Sequence, residues 1–263
     1  MFVGNEMKTI IVLLGNARGG EEAWETMYKN LVTPHDADLA LLFGEAEHEG
    51  SLYEKAKYVW EIEEYDNWRT YYEKVCKTDT WERIFEAYCR SGLSGGIDGH
   101  RGSGAIIFAF RHFLKTKRNI LEQYDRIILT RSDHYYLREH PILNLEYVWV
   151  PKGEDYRGIT DRHHVFSPSM IDQVLGVVEF LDDPETYRLL ENCGFRCNPE
   201  MVLWAMFKKN GVSRKIRRFP RNMFSVARKN EQTRWRRGST LMPGSTTLYL
   251  KASSEYQEAI NEM

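Results

Sequence analysis

The sequence predicts an α/β fold, a single domain with a central, mostly parallel sheet flanked by helices, and three observations carry that expectation. Residues 8–15, KTIIVLLG, form a compact apolar run rich in β-branched residues and closed by glycine, which reads as a buried first strand. Trp24, Met27, Tyr28 and Leu31 then repeat at helical spacing before a second apolar run at residues 37–43 ends at Gly44, giving strand, helix, strand and hence a parallel crossover. Further on, Ile127 to Leu129 lead into Thr130, Arg131, Ser132, Asp133, His134, Tyr135 and Tyr136, a strand that delivers one acid into a polar, aromatic setting. A chain of 263 residues is ample for one large α/β core.

The elements follow in order. Glu21 and Glu22 suit the positive end of the first helix. Between residues 51 and 89 aromatics and charges alternate at helix-like spacing, which predicts two or three helices whose aromatics serve packing. Residues 92–104 hold six glycines, a lid or a flexible link, and lead into an amphipathic helix over 104–123. Strands are predicted at 124–136, 147–151 and 161–167, and helices at 169–181, 184–190 and 199–209. The last of these has Asn198 as its cap and Pro199 at its first position.

Composition excludes several classes. The 42% hydrophobic and 28% charged content is that of a globular chain rather than a disordered one. The apolar run near the start is too short to span a bilayer, so the chain reads as soluble, cytoplasmic and unprocessed. Cys76, Cys89, Cys193 and Cys197 lack metal-type pairing and read as reduced thiols. The net charge of -2 hides an asymmetry, because residues 214–237 carry ten Lys or Arg against Glu231 alone.

Four constellations can carry chemistry. The turn Gly15, Asn16, Ala17, Arg18, Gly19, Gly20 lets backbone approach a ligand and sets an arginine beside it, although a plain tight turn needs the same glycines; it has neither dinucleotide nor P-loop spacing. Asp133 stands at a strand end, where open α/β sheets place ligands; its structural alternative is a turn start paired with Arg131. The loop 151–164 packs glycine, acids and bases before a strand, with Asp161, Arg162 and the paired His163 and His164 at its end. Glu200, in the first turn of its helix, is an acid the dipole favours there and also a candidate base.

In order and content these segments resemble glycosyltransferases of the GT-A (Rossmann-like) architecture, and most closely the small enzymes of large algal viruses of the chlorovirus type. The stretches that carry the resemblance are the Gly15–Gly20 turn, the helix start Ser103-Gly104-Ala105-Ile106-Ile107-Phe108, Thr130-Arg131-Ser132-Asp133, Gly158-Ile159-Thr160-Asp161-Arg162 and Asn198-Pro199-Glu200. The resemblance implies one domain over 1–263, with a nucleotide-binding half to about residue 137 and an acceptor-side half beyond it. It implies transfer of a sugar from a nucleotide-sugar donor to a glycan or other hydroxyl acceptor, with Mn2+ or Mg2+ bridging the diphosphate to Asp133. Gly15, Asn16, Arg18, Ser103, Arg131 and Arg162 would bind the donor, and Asp161 and Glu200 would be the catalytic carboxylates. The sequence departs from the common Asp-x-Asp form in having Arg131, which puts metal dependence in question.

Two other readings compete. A transferase of another kind, such as a methyltransferase, would use the Gly15–Gly20 turn with Glu45 on the ribose. A non-enzymatic polyanion-binding protein would use residues 214–237, with Phe219, Phe224 and Trp235 for stacking, although the slightly acidic whole argues against a nucleic-acid partner.

Overall fold

The computed structural model describes residues 7–44, 48–88, 103–191, 198–229, 231 and 240–262. Strands β1 (Thr9–Gly15), β2 (Asp38–Gly44), β3 (Tyr58–Ile62), β4 (Arg126–Thr130), β6 (Val148–Pro151), β7 (His164–Phe166) and β8 (Ile216–Phe219) form one sheet in the order β3-β2-β1-β4-β7-β6-β8. Every pair is parallel except those made by β7, which runs against both β4 and β6. A second sheet has the order β10-β9-β5, from β5 (His134–Tyr136), β9 (Met223–Arg228) and β10 (Leu248–Leu250).

Both faces of the large sheet are covered, which explains why its central strands are continuous apolar runs. Along β1, Ile10 and Val12 join a core shared with Phe108, Ile127, Val174 and Leu203, while Ile11 and Leu13 join an opposite core with Trp24, Phe224 and Leu248. The helices are α1 (Glu21–Met27), α2 (Ser51–Lys55), α3 (Arg69–Val75), α4 (Thr80–Tyr88), α5 (Ser103–Lys115), α6 (Arg118–Leu121), α7 (Ile171–Leu175), α8 (Val177–Asp182), α9 (Pro184–Glu191), α10 (Pro199–Lys209) and α11 (Ser253–Asn261). Among these residues no helix is long and apolar enough to cross a membrane.

Four expectations need correction. Residues 58–62 are an edge strand, not helix: Trp60 and Ile62 point inward while Val59 and Glu61 stay exposed, a period-two pattern that the surrounding aromatics disguise. The strand expected over 124–136 is two, because the chain turns at 131–133 and leaves for the second sheet. The helix expected over 169–181 breaks at Gly176, and the one expected over 104–123 is two, α5 and α6, parted by a turn at 116–117. Cys76 is a free, half-buried thiol; the other cysteines and residues 92–102 of the glycine-rich link lie outside the described residues.

Candidate active site

The ends of β1 and β4 open into a cleft of about 860 Å³, its mouth included, walled on one side by Ile106, Ile107 and Phe110 of α5. Gly15, Asn16, Arg18, Arg131, Asp133, Asp161 and Arg162 all line it, so residues far apart in the chain converge there. The turn after β1 needs its glycines: Gly15, Gly19 and Gly20 have φ of 121°, 85° and 76°, and a Cβ on Gly19 would meet Ser132 O at 3.2 Å and Asp133 Cα at 3.1 Å. That turn is tied to the end of β4 through Ser132, whose hydroxyl donates to Asn16 O at 2.6 Å and accepts from the Arg18 N–H at 3.0 Å.

Asp133 is 1% exposed, and each of its oxygens accepts from a cationic side chain. Its Oδ1 accepts from Arg131 Nε at 2.9 Å, and its Oδ2 accepts from Arg131 at 2.8 Å and from Lys251 Nζ. Burial alone would raise this carboxyl, but the charges of Arg131 and Lys251 outweigh it and hold Asp133 well below the usual carboxylate range. Burial brings the Lys251 ammonium down to about 8 despite the pull of Asp133. Lys251 follows the short strand β10, and nothing in its local sequence marks it.

This donor set does not fit a divalent cation. Hard cations take about six or more oxygen ligands, whereas Asp133 offers one carboxylate whose two oxygens already accept from two cationic side chains. Among the described residues no group of three His, Cys, Asp or Glu is placed to hold a metal ion.

Asp161 lines the cleft and lies 4.0 Å from Arg162 Nε. Arg162 is held by the buried Glu255 of α11, whose other oxygen accepts from Ser225 N–H at 2.6 Å. Glu200 lies behind Asp161 and outside the lining; burial first, then the neighbouring Asp161 charge, push its carboxyl up to about 8. The loop and helix that carry these acids are locked together. Ile159 N–H donates to Glu200 O at 3.0 Å, and a Cβ on Gly158 would sit 2.1 Å from the Glu200 carbonyl. The Asn198 cap is as expected, accepting from Met201 N–H at 2.8 Å. Under the loop, fully buried Arg111 donates to Asp161 O at 2.9 Å.

The floor rests on a buried polar chain. Arg126 lies 3.1 Å from His35 Nδ1; His35 and His140 are 2.9 Å apart, His140 and His163 3.1 Å, and His163 and Thr130 Oγ1 3.0 Å. Arg126 can only donate, so its contact fixes His35 Nδ1 as acceptor, and each following ring passes one proton toward Thr130. His163 and His164, adjacent in sequence, are both structural: the first belongs to this chain and the second lies 3.1 Å from Arg111.

Other candidates fare differently. Ser103 begins α5, but its side chain lies outside the described residues, as does Glu45. Phe219 and Phe224 are core residues, 2% and 1% exposed, and are not available for stacking on a base. Arg218 pairs with Asp155 at 2.9 Å and Arg217 lies over the Tyr147 ring, both outside the cleft lining. Sequence reasoning missed Glu64, the apolar wall on α5, Lys251 and Glu255. Of these, only the wall had a local signal, the amphipathic repeat of its helix.

No protein-family model matches the chain, and no curated protein is significantly similar to it. Among solved structures it is similar to mouse xyloside xylosyltransferase 1 in its apo form, with a TM-score of 0.42 and 11% identity over 81% of this chain and 84% of that one. A likeness that loose carries no argument about chemistry.

Proposed function

We propose that the protein is a glycosyltransferase that takes a sugar from a nucleotide-sugar donor to a hydroxyl acceptor, in a GT-A-like fold, as the resemblance of its sequence segments implies. The observation that carries the reading is convergence: the Gly15–Arg18 turn, Arg131 with Asp133, and Asp161 with Arg162 line one cleft at the ends of parallel strands β1 and β4. In this reading Gly15, Asn16 and Arg18 take the nucleotide side, and the cations near Asp133 face the diphosphate. The apolar wall of Ile106, Ile107 and Phe110 excludes water, which strengthens each of those charges.

The chemistry asks for positioning and charge more than for covalent machinery. In direct displacement the acceptor oxygen bonds to the anomeric carbon, the bond from that carbon to the phosphate oxygen breaks, and its electron pair leaves with the diphosphate. The acceptor proton passes to Asp161, one of three carboxylates that line the cleft with Glu64 and the cation-paired Asp133; Glu200, a neighbour of Asp161 outside the lining, holds a proton at neutral pH and limits the charge gathered there.

A thermal-shift panel of UDP, GDP, CDP and their sugar conjugates tests the proposal, because a ligand bound only by the native state raises its melting temperature. At least one nucleoside diphosphate and its sugar conjugate should stabilise the protein, and that conjugate should be turned over with a glycan acceptor. Stabilisation by S-adenosylmethionine and by no nucleoside diphosphate would favour the methyltransferase reading instead.

A further inference from the structure

We infer that Lys251 and Arg131 are the resident cations for the donor diphosphate, and that the protein binds it without a divalent metal. The inference rests on the nucleotide-sugar reading and names what neutralises the phosphates within it. Asp133 occupies the strand-end position that the resemblance assigns to a metal, yet both of its oxygens already accept from cations, Oδ1 from the guanidinium of Arg131 and Oδ2 from that guanidinium and the ammonium of Lys251. One carboxylate against two cations leaves this trio with a net positive charge, and Asp161 and Glu231 are the next acids that Arg131 feels. A divalent ion would have to expel the Lys251 ammonium and then sit against the Arg131 guanidinium, two unfavourable steps in a poorly solvated pocket.

Asp133 then orients rather than ligates. It fixes the Arg131 side chain through the paired contacts from Nε and the terminal nitrogen and holds Lys251 at the end of β4, 118 residues away in sequence. Arg131 keeps further donors for phosphate oxygens, since a guanidinium carries five N–H groups. Arg131 and Arg18 line the cleft; Lys251 does not line it but sits on Asp133, which does, within electrostatic reach of Arg18, whereas the charge of Arg162 is already answered by Glu255. Arg131, which breaks the two-acid pattern, is in this arrangement the replacement for the metal and not a defect in its site.

Calorimetric titration of the full chain with UDP, GDP and CDP, in EDTA and in MnCl2, tests this, with uridine, guanosine and cytidine as controls. The diphosphate that binds should do so with the same dissociation constant in both media, within about twofold. Lys251→Met should weaken it by about tenfold or more in both media, the scale of one lost charge-assisted hydrogen bond, and leave the nucleoside unaffected. Lys251→Arg, which keeps the charge and the pair with Asp133, should recover most of the affinity; where Lys251→Met does not fold, Lys251→Gln, which removes the charge but can still donate to Asp133, should show the same loss, and wild-type affinity in it overturns the inference. Binding of the diphosphate only in MnCl2, or wild-type affinity in Lys251→Met, overturns the inference and leaves the glycosyltransferase reading standing. No binding of UDP, GDP or CDP in either medium overturns that reading and this inference together.

Discussion

Replacing Asp133 by asparagine should unfold the protein more readily, not merely silence it. A strand-end acid that faces a crevice can be neutralised at little cost to the fold, but Asp133 is 1% exposed and pairs with Arg131 and Lys251, whose side chains are themselves 19% and 10% exposed. The amide in Asp133→Asn would keep the shape and leave two poorly solvated cations facing each other across a neutral group. Removing one partner of a buried pair costs about 3–5 kcal/mol, and at about 2 °C per kcal/mol for a chain of this size the melting temperature at pH 7 should fall by about 6–10 °C. The deficit should also depend on pH with a definite sign. The Lys251 ammonium, already down to about 8, loses the Asp133 attraction and drops further, while the same lysine in the unfolded chain keeps its proton to about pH 10. Between pH 7 and 9 the unfolded variant therefore binds more protons than the folded one, so its stability rises more than that of the wild type, and the deficit should narrow by about 1 kcal/mol. Urea denaturation of both proteins at pH 7 and pH 9 measures this. A variant melting within about 2 °C of wild type at pH 7, or a deficit unchanged at pH 9, would refute the reasoning.

Two further outcomes follow from the same site. Asp161→Asn should lower turnover by about 100- to 10,000-fold with donor affinity little changed, whereas Glu200→Gln, which mimics the protonated acid, should keep near-wild-type turnover at pH 6.5. Because the Glu200 carboxyl is raised to about 8 in the fold, its contribution to stability is lost as pH rises from the ordinary carboxylate value through 8, so Glu200→Gln should gain stability relative to wild type above pH 8; a severe turnover loss at pH 6.5 would make Glu200 the base instead. Burial holds His134, His140, His163 and His164 well below the ordinary value and His35 at about 4; their stability is full above the unfolded value of about 6.5 and is lost as pH falls below it, by about 1 kcal/mol each between pH 7 and 5.5. Scanning calorimetry should show a melting temperature that falls by more than about 5 °C over that interval, and a flat profile would mean that these rings take up protons without opening the core.

The features legible along the chain are those that nearest neighbours in sequence decide. The runs at β1, β2 and β4 can be read because strands covered on both faces must be apolar at every position, and the Asn198-Pro199 start of α10 can be read because a cap is satisfied within three residues. The glycines at 15, 19 and 20 announce a turn because only glycine takes those φ angles cheaply. Long-range packing settled the rest. Edge strand β3 shows its period of two over only five residues inside an aromatic stretch, too few to outweigh the helical spacing around it. The turn at 131–133 is invisible locally because β5 is drawn off by pairing with β9, some ninety residues later. Above all, Lys251 on Asp133 and Glu255 on Arg162 come from the last two elements of the chain. The charge balance of a buried site is a sum over everything packed around it, and spacing along the sequence records only the part contributed by its own strand.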